Sequence, residues 1–422
     1  MRLLIIGLNF APELTGVGKY TGEMAAWLAA RGHDVSVITT RPYYPLWQAA
    51  KGLGKFTWRS ETWAGCHVTR CPVYVPRHTT GVRRLLHLGS FAGSSVPAAI
   101  GRLGRRFDVV AGIVPTLLSA PIALAAARLS KAKAWLHVQD LEFDAAYELG
   151  IISGGRVIRG AMDVESQIMK RFDLVTAVSP KMAAALERKG VAPERTAVFP
   201  NWVDTKSIYP LRASDRLRTE LGIPADACVA LYAGSMGRKQ GLQTVIAAAE
   251  ILAKTSPPKL VFVLAGAGPA RGDLKQAAAG LTNVRFLPLI PDDEFNAVLN
   301  MADIHILPQR HDISDLVMPS KLGPMLAVGK PVVATVPETS QVAQTIGHAG
   351  MIVPPENPAA LADALLTLVR SPQRREAMGR IALEIAHNEY AADKHLPAIE
   401  ARLVDLTGNA ETVSSLTAER AA

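Results

Sequence analysis

Two basic clusters and one histidine are the residues of this chain best placed to do chemistry. Ser320 and Lys321 follow Pro319 within DIHILPQRHDISDLVMPSKLGPMLAVGKPVVAT (residues 303–335), and Arg238 and Lys239 stand between Gly237 and Gly241. A serine ahead of an apolar run predicts a helix start with Ser320 as N-cap. Free N–H groups beside a lysine then form an anion site. Arg238 and Lys239 at a helix entrance oppose the helix dipole, a cost that an oligophosphate seated there would reverse. Solvated surface charge is the competing reading of both clusters.

His137 lies near the end of the apolar run WLHV, and Asp140 follows three residues on. A histidine at a strand's carboxyl end can hydrogen-bond a substrate hydroxyl; a capping or core histidine is the alternative. Gly16 and Gly18 flank Val17 ahead of a helical pattern, where glycine lets backbone N–H groups approach an oxyanion, although a tight turn needs the same residues. Gly266, Gly268 and Gly272 imitate a dinucleotide fingerprint, but no acidic residue follows to hold a ribose, so we read a structural turn. Asp-x-Asp, HExxH, CxxC and G-x-S-x-G patterns are absent from the sequence. Metal-assisted transfer, metallohydrolysis and serine-nucleophile hydrolysis lose support, and we expect neither metal nor cofactor.

The elements that must hold these groups follow one grammar, used twice. RLLIIGLNFAPELTGVGKYTGEMAAWLAARGHDVSVITT spells strand, glycine loop, helix, turn, strand. The pattern returns over residues 228–290 in CVALYAGSM, GRKQG, LQTVIAAAEILAK and KLVFVLAGAG, then continues through NVRFLPLI and ADIHILP. Such alternation predicts an α/β protein with two doubly wound parallel-sheet domains facing across a cleft. Phe199–Ala213, broken by Pro200, Asn201 and Pro210, reads as the connection. The first domain is then residues 1–205 and the second 206–390. Part of 390–410 is expected to pack back on the first, Pro397 to interrupt the C-terminal helix, and 408–422 to form a frayed tail.

Composition bounds the partners. The chain has 422 residues, 49% hydrophobic and 20% charged, with a formal net charge of +9. That surplus favours phosphate-bearing partners, while sparse aromatics and the lack of a Lys/Arg run of five exclude nucleic acid. Cys66, Cys71 and Cys228 cannot build a disulfide framework and read as reduced thiols of a cytoplasmic protein. LLIIGL is too short for a signal-peptide core. Val109–Ala127 is free of charge but broken by Pro115 and Pro121, so it reads as a buried strand, turn and helix, not a membrane span. Pro76–Arg106 carries Arg77, Arg83, Arg84, Arg102, Arg105 and Arg106 with no acidic residue, interleaved with Leu85, Leu86, Leu88 and Phe91. This mix predicts peripheral attachment to the anionic inner face of the cytoplasmic membrane, against a solvated basic face on a core helix.

Assembled, these segments resemble the family 4 glycosyltransferases, retaining enzymes of the two-Rossmann GT-B fold. The matches run in order over about the full length: RLLIIGLNFAPELTGVGKYT, GHDVSVIT, the His137 strand, AVSPKM, PNWVD, YAGSMGRKQGL, LAGAGP, NVRFLPLIP, ADIHILPQ and AVGKPVVAT. PSKLGPMLAVGKP, GSMGRKQGL and PRH…RRLLHLGSF look most like the bacterial exopolysaccharide branch typified by the colanic-acid fucosyltransferase. The resemblance implies metal-independent transfer of a sugar from a nucleotide-diphosphate donor, GDP-fucose favoured, to a lipid-linked oligosaccharide. It places the diphosphate on Gly16, Gly18, Ser235, Arg238, Lys239, Ser320 and Lys321, catalytic roles on His137, Asp140 and Asp315, and the base on Leu289 and Ile290. The sequence departs from the family at its two spaced glutamates, whose positions hold Leu316 and Pro324, with Asp315 able to take the first role. Ser235 and Gln240 stand where the family has Arg and Lys. Those departures keep a degenerate scaffold open as an alternative. A nucleotide-sugar 2-epimerase shares the fold but is disfavoured by the GKPVV block and the PSK helix.

Overall fold

In the computed structural model, the chain is described except for residues 14–15, 45–46, 49–56, 77–80, 115–116, 142–155, 213–214, 238–239, 255–258, 312–317 and 409–422. The first unit covers Met1–Pro200 and takes back the C-terminal stretch from Lys394; the second is Asn201–Asp393.

In the first unit the order is β1 (Arg2–Gly7), α1 (Val17–Ala30), β2 (Asp34–Thr40), β3 (Arg59–Trp63), β4 (Cys66–Cys71), α2 (Gly81–Ile100), β5 (Val109–Val114), α3 (Ala120–Ser130), β6 (Lys133–Val138), β7 (Leu174–Ala177) and β8 (Thr196–Val198), with further helices between β6 and β8. The sheet runs β3-β4-β2-β1-β5-β6-β7-β8. It is parallel except where β3 turns back antiparallel on β4. Continuous apolar runs such as LLIIG and VVAGIV are buried throughout, as central strands covered on both faces must be. The second unit contributes β9 (Cys228–Ala233), β10 (Leu260–Ala265), β11 (Val284–Leu287), β12 (Ile304–Pro308), β13 (Val332–Thr335) and β14 (Gly350–Val353), in order β11-β10-β9-β12-β13-β14. Val229, Leu231 and Ala233 point into one apolar layer, Ala230 and Tyr232 into the other. In each sheet the chain reverses direction of winding at one place, between β1 and β5 and between β9 and β12. In open α/β sheets the loops diverge at such a switch point, and ligands sit in the crevice beyond the strand carboxyl ends.

The structure agrees with some of the sequence expectations and corrects others. The units divide within Phe199–Ala213, where Trp202, Val203 and Ile208 are buried. Val203 N–H donates to Tyr390 O (2.7 Å) and Ala392 N–H to Val203 O (2.9 Å). That same strand-like bridge, not Pro397, interrupts the C-terminal helices. The break falls at extended Ala391 (φ −64°, ψ 128°), and the helix Ala392–Thr407 runs through Pro397. Val109–Ala127 resolves into β5 and most of α3, and among the described residues no helix is long and apolar enough to cross a membrane. The three cysteines are free and buried. On α2, Leu88 and Phe91 are buried and belong to the core, while Leu85 and Leu86 are exposed. Helical periodicity separates the two pairs, since residues 88 and 91 turn toward the sheet.

Candidate functional site

At the carboxyl end of β9 in the second unit, Tyr232 is wholly buried and Ala233 leads into Gly234 (φ 150°). The glycine loop after β10 locks onto this turn. Gly234 N–H donates to Ala265 O (2.9 Å), Met236 N–H to Ala267 O (2.8 Å) and Ala270 N–H to Met236 O (2.9 Å). A Cβ on Gly266 would come within 1.9 Å of Gly234 O, and one on Gly268 within 2.5 Å of Met236 O. Gly266 and Gly268 therefore exist for close loop packing.

Against this paired loop lies Lys321. Its ammonium donates to Tyr232 Oη (2.7 Å) and sits 4.3 Å from the centroid of the same ring. The Tyr232 hydroxyl donates in turn to Ser235 O (2.5 Å). A Cβ on Gly234 would lie 3.2 Å from the Lys321 nitrogen, so glycine keeps the backbone open beside the cation. Although part of the side chain is solvent-accessible, enclosure of the ammonium pulls the Lys321 pKa down to about 7. Among the described residues no carboxylate pairs with it. An entering phosphate would supply the missing counter-charge and restore the full cation.

Ser320 is not the N-cap. Lys321 is already in helical conformation (φ −76°, ψ −15°) and no side chain caps the helix Leu322–Ala327. Leu322 N–H turns back to Pro319 O (3.1 Å). The short helix contributes its lysine, and its N-terminus is spent on the Pro319 turn. Pro324, at the family's second glutamate position, is buried inside that helix. Ser235 is half-buried with its carbonyl held by Tyr232. Leu289 and Ile290 follow β11, both half-buried, with Ile290 against the apolar layer. Arg238, Lys239 and Asp315 lie outside the described residues.

The first unit brings two groups to its strand ends. After β1, Gly16 (φ 66°, ψ −148°) precedes α1 with no side-chain cap. Gly18 is not part of that loop: it is buried in the first turn of α1. A Cβ there would lie 2.5 Å from Glu13 Oε2 and 3.2 Å from Phe10 N. Its smallness makes room for Glu13, a carboxylate that sequence reasoning missed. Glu13 is buried and accepts from Asn9 Nδ2 (2.9 Å) and from the Tyr43 and Tyr44 N–H groups (3.2 Å each). Burial pushes its pKa up against those hydrogen bonds. Arg70 braces the same loop by donating to Ala11 O (2.6 Å) and Thr40 O (3.2 Å). The only sequence signal for Glu13 is a lone acidic residue among apolar and glycine neighbours in NFAPELTGVG.

His137 is the penultimate residue of β6 and is 5% exposed. Its Nδ1 is 2.8 Å from Thr176 Oγ1 and its Nε2 2.9 Å from Gln139 Nε2, while Trp135 Nε1 donates to Thr176 (2.8 Å). Burial lowers its pKa to about 4, so the ring is neutral at pH 7. With both nitrogens engaged, a substrate hydroxyl reaches Nε2 by displacing Gln139. Asp140 is half-buried on the turn just beyond. Among the described residues no group of three or more His, Cys, Asp or Glu is placed to hold a metal.

Two α/β units, each built on an open, mainly parallel sheet, and in the second a glycine loop locked beside an enclosed lysine, are the architecture of the GT-B fold. Residues 15–202 match the family model described as Glycosyl transferase 4-like domain, and residues 227–371 match Glycosyl transferases group 1. The putative colanic acid biosynthesis glycosyl transferase WcaI of Escherichia coli K12 is 40% identical over 371 residues, 86% of this chain and 90% of that protein. Among solved structures, sucrose-phosphate synthase from Thermosynechococcus elongatus superposes with a TM-score of 0.75 at 18% identity, covering 96% of this chain and 99% of that one. HepE from Anabaena, in complex with UDP and glucose, gives 0.70 at 18% identity over 94% and 98%. The chain belongs to the family 4 glycosyltransferases of GT-B fold and is a transferase.

Proposed function

We propose that the protein moves a sugar from a nucleotide-diphosphate donor, with GDP-fucose favoured, to a lipid-linked oligosaccharide in exopolysaccharide synthesis, with retention and without a metal. The observation that carries this reading is the enclosed Lys321 ammonium between Tyr232 and the open Gly234 backbone. A departing diphosphate develops negative charge, and a preorganised cation beside exposed backbone stabilises that charge in the transition state. Arg238, Lys239 and the Gly16 loop complete the clamp, and backbone around Leu289 and Ile290 reads the base. Neutral His137 holds the donor sugar, with Asp140 beside it, and Asp315 takes the family's first glutamate role.

The nucleotide reading is supported by HepE, which binds UDP and glucose, and the pathway by WcaI, named for colanic acid biosynthesis. The membrane side of the proposal rests on α2. Val82, Leu86, Val96 and Ile100 are 71%, 58%, 40% and 61% exposed and recur at helical spacing, with exposed Arg83, Arg105 and Arg106 nearby. The protein thus attaches peripherally to the anionic inner face of the cytoplasmic membrane. A degenerate scaffold is the second reading, because Pro324 fills a buried position where the family has a glutamate. A thermal-shift panel of GDP, UDP and their sugars tests the donor, since a ligand that binds only the native state raises the unfolding temperature. GDP-fucose should give the largest shift; no shift with any nucleotide would remove the donor reading.

A further inference from the structure

A second polar cavity lies in the first unit, outside every residue assigned to the donor. It has a volume of about 500 Å³ and is walled by the β3–β4 hairpin and the C-terminal end of α2. Pairing of Ser60 with Thr69 and of Thr62 with His67 turns these four side chains to one face of the hairpin. Opposite them stand Arg102 and Arg105, fixed by the turn that ends α2, where Arg102 N–H donates to Ala99 O (3.0 Å) and Arg105 N–H to Arg102 O (2.9 Å).

The wall is rich in donors and short of negative charge. Arg102 donates to Thr69 Oγ1 (2.6 Å) and only weakly to His67 O (3.5 Å). Among the described residues Glu61 is the one carboxylate lining the cavity, and Arg70 already holds it (2.8 Å). Asp34 attracts Arg102 from outside the lining. Arg102 is half-buried, and both desolvation and the neighbouring Arg105 disfavour its charge. Two like charges converging on a hydroxyl-lined cavity are costly without a counter-ion, and guanidinium pairs with hydroxyls are well matched to phosphate oxygens.

We propose that this cavity is a second anion site that takes a phosphate mono- or diester, held by Arg102 and Arg105 and oriented by Ser60, Thr62 and Thr69. The ligand is either a soluble phosphate ester or the headgroup of an anionic lipid, and the exposed apolar residues Val96 and Ile100 on the adjoining turns of α2 put a bilayer within reach. The proposal does not rest on the donor reading.

The test titrates the full chain with inorganic phosphate and with glycerol phosphate by calorimetry, beside binding to phosphatidylglycerol and phosphatidylcholine vesicles. Arg105→Gln and Thr69→Val remove one charge and one hydroxyl. Lys254→Gln and Arg216→Gln, both exposed in the second unit, are the controls for net charge. Repeating each titration in a Lys321→Ala background removes the other anion site, and thermal unfolding confirms each fold. Phosphate binding weakened about tenfold in Arg105→Gln and Thr69→Val, but not in the controls, is the expected result. If binding to phosphatidylglycerol vesicles falls in the same two variants, the ligand is a headgroup; if only the soluble phosphates are affected, it is a soluble ester. Equal phosphate and vesicle binding by wild type and both cavity variants would overturn the site.

Discussion

Lys321 sets the electrostatics of the second unit's crevice, and its behaviour should be visible in protons. With its folded pKa lowered to about 7, the lysine is largely neutral in the free protein at pH 8. A diphosphate that needs the cation must then draw in a proton on binding. Calorimetry of nucleoside diphosphate at pH 8, in buffers of different ionisation heat, should show proton uptake that Lys321→Ala abolishes; buffer-independent heats would contradict the assignment. The linkage to stability has the matching sign. The unfolded lysine holds its proton up to about pH 10.4 and the folded one releases it above 7, so the free protein gains stability between those values. Gly18 gives a second residue-scale expectation. Gly18→Ala drives a methyl into Glu13 and should cost about 1–3 kcal/mol in thermal unfolding, while nucleotide affinity stays unchanged; a loss of affinity with unchanged stability would return Gly18 to the phosphate loop. At this scale the sequence exposed cations more readily than their partners. Lys321 stood out in PSK, but Tyr232 is 89 residues away and its role arises only when β9 and the turn after β12 meet. Glu13 was hidden for the opposite reason: a carboxylate in an apolar loop has no pattern until backbone N–H groups gather around it.

Elements were legible wherever a continuous apolar run met a glycine or a proline. VVAT became β13 at the expected residues, and the alternating αβ pattern gave both parallel sheets. Element ends were less legible, because they depend on backbone partners that the chain brings in from elsewhere. Ser320 lost its cap to the Pro319 turn, and Pro397 lost its break to the Val203 bridge. On α2, the basic and apolar content was readable, but which leucines face outward was settled by packing. Flotation with anionic and neutral liposomes tests that face. Exchange of Val82 and Leu86 for serine should weaken binding to anionic liposomes several-fold, and high salt should weaken it further. Equal or absent binding to both liposome types would leave a soluble acceptor as the better account.

Across the molecule, the chain divides after Pro200 and then sends its last helix back to the first unit. Glu400 ties that helix down, its carboxylate 2.7 Å from His33 Nε2 and 3.3 Å from Arg31 Nη2. Arg402 adds a hydrogen bond to Glu194 O (3.1 Å). Glu400→Ala should destabilise the first unit by about 1–3 kcal/mol, read as a lowered unfolding temperature with nucleotide affinity intact; an unchanged temperature would show that the helix is held by apolar packing alone. The return of the C-terminus was among the sequence expectations, but its anchor was not, since a His, an Arg and a Glu so far apart in sequence carry no shared pattern.

The most direct measurement is release of nucleoside diphosphate from GDP-fucose and from UDP-sugars by the purified full chain, in EDTA, for wild type and Lys321→Ala. Wild type should release the nucleotide, slowly without acceptor. Lys321→Ala should be slower by roughly 10²–10³-fold at saturating donor, equivalent to about 2.7–4 kcal/mol of transition-state stabilisation. Binding of a donor with no turnover of any nucleotide sugar, or equal rates for the two proteins, would contradict the account and leave the scaffold reading in its place.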